Sequence, residues 1–269
     1  MTNTDAPADF DVERLLRETF VSHVELHEET HSTNDLALER AGDLDLPCPL
    51  LIVAQRQTAG RGRGENTWWA AGGALTFSLV LETEAMALPQ AAWPQASLVT
   101  GLGVYQAVRE LLPHEPVGLK WPNDVYLRQR KVCGVLVESS RVPRPRLVVG
   151  IGINVNNRFD DAPPEVRRRA VSLSEAAARG FALSQVLLTT LQALERCYGE
   201  VSAKSAALPK RWSDACMLRG RQVTLNIGSR LVQGFCSGID AEGALVIRTP
   251  QGDERYFGGT VDRYSEMQE

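Results

Sequence analysis

From Val117 to Val155 the chain carries four short apolar, β-branched stretches: Val117 to Lys120, Val125 to Arg128, Val132 to Glu138 and Leu147 to Val155. Runs this short, divided by Gly, Pro, Asn and Asp, are strand patterns and not helical ones. Between the first three there is room for little more than turns, and Gln129–Arg130 suits a tight turn between the second and the third. A sheet therefore has to stand at the centre of the fold. Leu50 to Ala54 and Ala74 to Leu81 supply further strands. Helical spacing appears elsewhere. Leu98, Leu102, Tyr105, Val108, Leu111 and Leu112 share one face until Pro113 helps end the run. Val186, Leu187, Leu188, Leu191, Leu194 and Tyr198 share another, behind a Ser184 cap. A helix capped by Ser32 or Thr33 runs through Leu36, Ala37 and Leu38 towards Gly42, and a shorter one covers 210–216. Strands mixed with a few long helices predict an α+β fold.

From Arg221 the texture changes. Val223 and Leu225, Leu231 to Phe235, Leu245 to Ile247 and Arg255 to Phe257 are short strands, with turns at Gly228, Gly243 and Gly252. They predict a small barrel beyond a boundary near Leu218–Gly220. The expected division is a loose polar lead-in over 1–22, with one amphipathic stretch from Val12 to Phe20, a main domain over 23–218 and the barrel over 219–269. Arg158 to Ala170, with Asp160, Asp161, Pro163, Pro164 and then Arg167, Arg168 and Arg169, reads as a mobile surface loop. A net charge of −4 argues against a protein that coats nucleic acid. No apolar run reaches the ~18 residues of a membrane span, and Met1 to Phe10 lacks the features of a secretory signal. Cys48, Cys133, Cys197, Cys216 and Cys236 are odd in number and form no C-x-x-C, which suits a reduced, cytoplasmic compartment. His23, His27, His31 and His114 have no metal-ligand spacing.

Four clusters carry chemistry. Gly60-Arg61-Gly62-Arg63-Gly64 offers close backbone N–H groups and two permanent cations, an anion-handling loop and not a Walker loop. A flexible solvated turn would have the same composition. Lys120-Trp121-Pro122-Asn123-Asp124 puts a Lys, an Asn and an Asp at a strand end, where they can hold a polyphosphate and Mg²⁺. A hairpin brings Lys131 back towards Lys120, and the two repel unless an anion lies between them. Gly150-Ile151-Gly152 inside a strand implies close approach of a ligand or another backbone, with Asn154 next in line. Ser32-Thr33-Asn34-Asp35 alone is no more than a helix cap. Trp68-Trp69 could wall an apolar slot.

As a set, Ser32-Thr33-Asn34, then Gln57-Thr58-Ala59-Gly60-Arg61-Gly62-Arg63, then Lys120-Trp121-Pro122-Asn123-Asp124 with Lys131-Val132-Cys133-Gly134-Val135-Leu136, then Gly152-Ile153-Asn154-Val155-Asn156 resemble the biotin–protein ligases in order and spacing, over about residues 25–265. The resemblance implies a mixed β-sheet with helices packed on one side of it, of the class II aminoacyl-tRNA-synthetase and lipoate ligase kind, plus a small C-terminal SH3-like β-barrel. It implies that biotin and MgATP form biotinyl-5′-adenylate, which then acylates one lysine of a biotin carboxyl carrier protein or domain. It assigns biotin to Ser32, Thr33, Asn34, Gln57, Arg61, Gly62, Arg63 and Lys131. ATP falls to Trp68, Lys120, Asn123, Asn154 and Arg263, Mg²⁺ to Asp124, and catalysis to Lys131 and Arg63. The segment 158–170 would close over the adenylate. The stretch before Ser32 is too short for the DNA-binding domain of some relatives, so the expectation is no DNA, no membrane, and a monomer or weak homodimer. Two departures stand out. Glu65-Asn66 replaces a further Gly-Arg before Trp68, removing one phosphate-side cation, and the adenine-covering loop has no Trp. A lipoate or octanoate ligase and a non-catalytic biotin sensor are the alternatives.

Overall fold

The structure, a computed structural model, describes residues 10–84, 93–140 and 144–265. Its centre is a seven-stranded mixed sheet in the order β1-β2-β3-β7-β6-β5-β4. The strands are β1 (His23–Thr30), β2 (Leu50–Gln57), β3 (Leu75–Glu82), β4 (Val117–Lys120), β5 (Asp124–Leu127), β6 (Arg130–Ser140) and β7 (Arg146–Ile153). β1 runs parallel to β2 and every other neighbouring pair is antiparallel. β1 escapes sequence reading because an edge strand with Glu28 and Glu29 exposed and Glu25 half-buried shows little apolar alternation. The hairpin between β5 and β6 turns at Arg128 and Gln129, one residue earlier than expected. Both have positive φ, 50° and 64°, as a two-residue primed turn demands, although neither is Gly or Asn.

Strand alternation divides the sheet into two unlike faces. Leu75, Phe77, Leu79 and Leu81 of β3 and Leu147, Val149, Ile151 and Ile153 of β7 enter the main core. There they meet α3 (Trp93–Leu111) and α6 (Leu183–Ser202). On the opposite face Leu50, Ile52, Val80 and Val148 pack under α2 (Thr33–Arg40), so helices lie on both sides of the sheet and not on one. Beyond α2 that face is left bare by Gly150, Gly152 and Gly134, and this bare end is the floor of a cavity.

Of the lead-in, residues 1–9 lie outside the described residues. The rest is not loose. α1 (Val12–Glu18) is capped by Asp11, and Phe10, Leu15 and Val21 are buried in the main core. Ala182 is the N-cap of α6 and offers no side-chain cap, so Ser184 lies within the helix. The expected mobile loop contains α4 (Pro164–Arg169), followed by α5 (Leu173–Ala177). Phe159, Ala162 and Ala170, with Val166 against them, give α4 a small apolar base of its own. α7 (Leu208–Ala215) leads to a separate five-stranded antiparallel sheet, ordered β11-β10-β9-β8-β12. Its strands are β8 (Gln222–Ile227), β9 (Arg230–Ile239), β10 (Leu245–Thr249), β11 (Gly252–Tyr256) and β12 (Thr260–Tyr264), the last not read from the sequence. This SH3-like unit is seated on the main sheet by two indoles: Trp121 donates to the Gly243 carbonyl at 3.1 Å and Trp212 to that of Asp240 at 3.0 Å. Among the described residues no helix is long and apolar enough to cross a membrane.

Candidate active site

A cavity of about 400 Å³ opens between the bare face of the sheet, the 60–68 loop, α4 and the start of β12. Ser32, Thr33, Asn34, Gln57, Arg61, Gly62, Arg63, Trp68, Lys120, Asn123, Asp124, Lys131 and Asn154 all line it. Arg263 does not; a bulge in β12 between Val261 and Arg263 shifts the register, so that Arg263 is exposed and the neighbouring Tyr264 reaches inward.

One end is a neutral polar network. Ser32 caps α2 and accepts from the Asp35 N–H, as its sequence position suggests. Gln57 Oε1 accepts from the Thr33 N–H at 2.7 Å and from its hydroxyl at 3.1 Å. Ser78, which the sequence did not mark, donates to Asn34 Oδ1 at 2.7 Å. Asn34 in turn donates to Glu138 Oε2 at 2.9 Å. Ser32, Thr33, Asn34 and Ser78 are buried, Gln57 and Glu138 half-buried, and their mutual hydrogen bonds hold them in place before any ligand arrives. Gly150 makes room for them: a Cβ there would stand 2.1 Å from Asn34 Oδ1. Gly152 and Gly134, opposite one another in the β6–β7 register, make room for Trp68, whose indole would lie 2.4 Å from a Cβ at 152. The strand glycines thus admit side chains from α2 and the loop.

The Gly/Arg loop is an ordered hairpin and not a flexible turn. Gly62 N–H donates to the Asn66 carbonyl at 2.7 Å, Trp68 N–H to that of Gly60 at 2.9 Å, and Gly64 takes a φ of 65°. Asn66, the departure noted above, ties the turn by donating to the Arg63 carbonyl at 2.7 Å. Arg61 is not a free cation. Its guanidinium meets Glu138 at 3.1 and 2.6 Å and Asp35 at 2.8 Å. Glu138 could have been read from its parity on β6, which matches that of Gly134 and Leu136. Arg63 reaches across to the C-terminal unit and donates to the Gly259 carbonyl at 2.7 Å.

The other end is charged. Lys131 Nζ lies 2.7 Å from Asp124 Oδ1 and 5.8 Å from the Trp68 ring centre. The anion beside Lys131 is therefore Asp124, while Lys120, which also lines the cavity, stands 5.5 Å from the rings of Tyr126 and Tyr264. Burial pushes the Lys120 ammonium below the ordinary lysine range; Asp124 opposes this, and Lys131 and Arg169 add to it. Asn123 donates to the Val135 carbonyl at 2.6 Å and Asn154 to that of Lys131 at 3.3 Å, so both amides brace β6. Asp124 Oδ1 is buried and, its ion pair apart, receives no hydrogen bond, which suits a hard cation. Among the described residues no group of three or more His, Cys, Asp or Glu side chains is placed to hold a metal. A divalent ion here would rest on one carboxylate and the substrate's own oxygens, a common arrangement for Mg²⁺.

Residues 26–156 match the Biotin/lipoate A/B protein ligase family, and residues 219–264 match the Biotin protein ligase C terminal domain. The chain is 31% identical to the biotin–[acetyl-CoA-carboxylase] ligase of Mycobacterium tuberculosis, over 87% of this chain and 89% of that protein. It is 29% identical to the bifunctional ligase/repressor BirA of Bacillus subtilis, over 92% of this chain and 76% of that protein. It superposes on the biotin protein ligase of Aquifex aeolicus in complex with biotin and ATP with a TM-score of 0.78 and 32% identity, covering 91% of this chain and all of that one. With the paired glycine floor, the Arg loop and the C-terminal unit all present in one chain, this protein belongs to the biotin protein ligase family.

Proposed function

We infer that this chain activates biotin with MgATP and transfers it to a lysine of a biotin carboxyl carrier protein. The observation that carries this reading is that Arg63 and Lys131, from separate stretches of the chain, line one cavity whose floor is a pair of glycines. The neutral end, with Gln57, Thr33 and Ser32, suits a compact donor–acceptor ring such as the biotin ureido group. Trp68 and the loop backbone suit the hydrocarbon tail. The charged end suits the triphosphate.

In the first step the biotin carboxylate oxygen attacks the α-phosphorus, a C–O–P anhydride forms and pyrophosphate leaves. Two anions must approach one another, and Lys131 offsets that repulsion and stabilises the charge of the transition state, while Arg63, reaching across the cavity to Gly259, anchors the adenylate once it has formed. In the second step a neutral lysine amine of the acceptor attacks the acyl carbon, an amide forms and AMP leaves. Asp124 would hold Mg²⁺, which supplies charge neutralisation on the phosphates. We assign the chemistry to residues 23–218 and a supporting role to 219–269. The family model also covers lipoate ligases, and the C-terminal domain match at 219–264 favours biotin over lipoate and octanoate.

The test is biotin-dependent ATP–pyrophosphate exchange, with lipoate in parallel. Exchange with biotin alone supports the reading. Exchange with lipoate alone reassigns the substrate, and none with either acid points to a non-catalytic sensor.

A further inference from the structure

The three arginines that end α4 have three different surroundings. Arg167 turns back onto the carbonyls of Asp160 and Ala162, closing the loop before the helix. Arg168 points to solvent. Arg169 lies on the same helix face as Val166 and Glu165, three and four residues earlier, and with them it lines the active-site cavity. Its side chain is exposed, but the backbone beside it is tied to the site. Ala170, next in the chain, forms a backbone bridge with Lys131, and the Val171 N–H donates to the Lys131 carbonyl at 3.0 Å. The apolar base of Phe159, Ala162 and Ala170 holds the turn from below.

Charge makes the placement informative. Arg169, Lys120 and Lys131 line the same end of the cavity; of the carboxylates near them Asp124 is taken by Lys131, Glu165 lies on the same helix face as Arg169, and Asp262 acts on Lys120 from β12. Among the described residues the Arg169 side chain makes no hydrogen bond or ion pair, with Glu165 or with any other carboxylate. Its field reaches Lys120, Tyr126 and Tyr264. Among the described residues neither Arg169 nor Lys120 has a carboxylate within ion-pair distance, so their charge is available to an anion of several charges that enters the cavity.

We propose that Arg169 is a phosphate-binding residue of this site, gripping the polyphosphate of a nucleoside triphosphate together with Lys120. This rests on the ligase reading and deepens it by naming a contact the loop motifs do not contain. The 60–68 loop has Asn66 where the resemblance leads one to expect a further cation, and Arg169 supplies a positive charge from the opposite wall.

The experiment is isothermal titration of MgATP and, separately, of biotin into the full chain and its variants R169A, R169K and R168A. Exchange assays accompany it. R169A is expected to bind MgATP about ten-fold more weakly, the loss of roughly one charge-assisted contact. Biotin affinity should not change, R169K should recover part of the loss, and R168A should match the unaltered protein. In exchange, the KM for ATP should rise more than kcat falls. Equal MgATP affinity in R169A and the unaltered protein overturns the proposal while biotin-dependent exchange still upholds the ligase reading. An equal loss in R168A also overturns it, since the effect would then be a diffuse field. If the unaltered protein binds no MgATP, both readings fall.

Discussion

Single side chains decide what the cavity can do, and the two cations given to catalysis are separable by experiment. Lys131 sits beside Asp124 and over Trp68, at the junction between the neutral and charged ends. Lys131→Ala should slow adenylate formation about a hundred- to a thousand-fold, as loss of a transition-state contact does, with biotin affinity nearly intact. Calorimetry beside exchange kinetics checks this, and equal losses in both would contradict the role. Arg63 spans the cavity mouth to Gly259. Arg63→Gly should leave adenylate synthesis standing but release the adenylate, read as increased labelling of bystander lysines on an unrelated protein. At this scale the sequence shows residue types well and partners badly. Ser32, Thr33, Asn34 and Gln57 are legible as a polar set, yet Ser78 and Glu138, which orient Asn34, lie far off in the chain. Arg61 reads as a free cation until Glu138 and Asp35 are seen against it. Arg169 hides in a run of arginines whose helical spacing shows only once α4 is recognised.

Elements explain why two glycines interrupt β7. Each faces away from the core, and each lies under a side chain delivered by another element. Gly150→Ala should drive Asn34 off its hydrogen bonds. Breaking a buried polar network typically costs about 1–3 kcal/mol, so biotin should bind roughly five- to a hundred-fold more weakly. Titration calorimetry measures the effect, and unchanged affinity would show that the network can shift at no expense. The central strands and the long helices were legible because their periods are clean. What was not legible follows from the same logic. β1 is acidic and half-exposed, β12 is short and carries two charged residues, and α4 has only one apolar side chain on its buried face. Each is specified by what it packs against, and a local pattern cannot report that.

For the whole molecule, the point of interest is how the C-terminal unit reaches the chemistry. Trp212, 1% exposed, anchors it from α7 through the Asp240 carbonyl. Trp212→Ala should destabilise the protein by about 3–5 kcal/mol, measured by urea denaturation. At temperatures where the variant stays folded, the KM for ATP should rise with little change in biotin affinity, because the barrel reaches the charged end and the Arg loop. Equal changes for both ligands would instead indicate general loosening. A change of texture near residue 220 makes the second unit visible in the sequence, but not the face it presents: the expectation fell on Arg263, one residue from the side chain that turns inward.

That inward side chain, Tyr264, shares the Lys120 ammonium with Tyr126, one ring from each sheet. Grafting the terminal module of a relative onto this chain would therefore succeed or fail on a single ring. A donor carrying an aromatic group at the equivalent of 264 completes the pincer, whereas an aliphatic one leaves half of it open, however well the rest of the transplant folds.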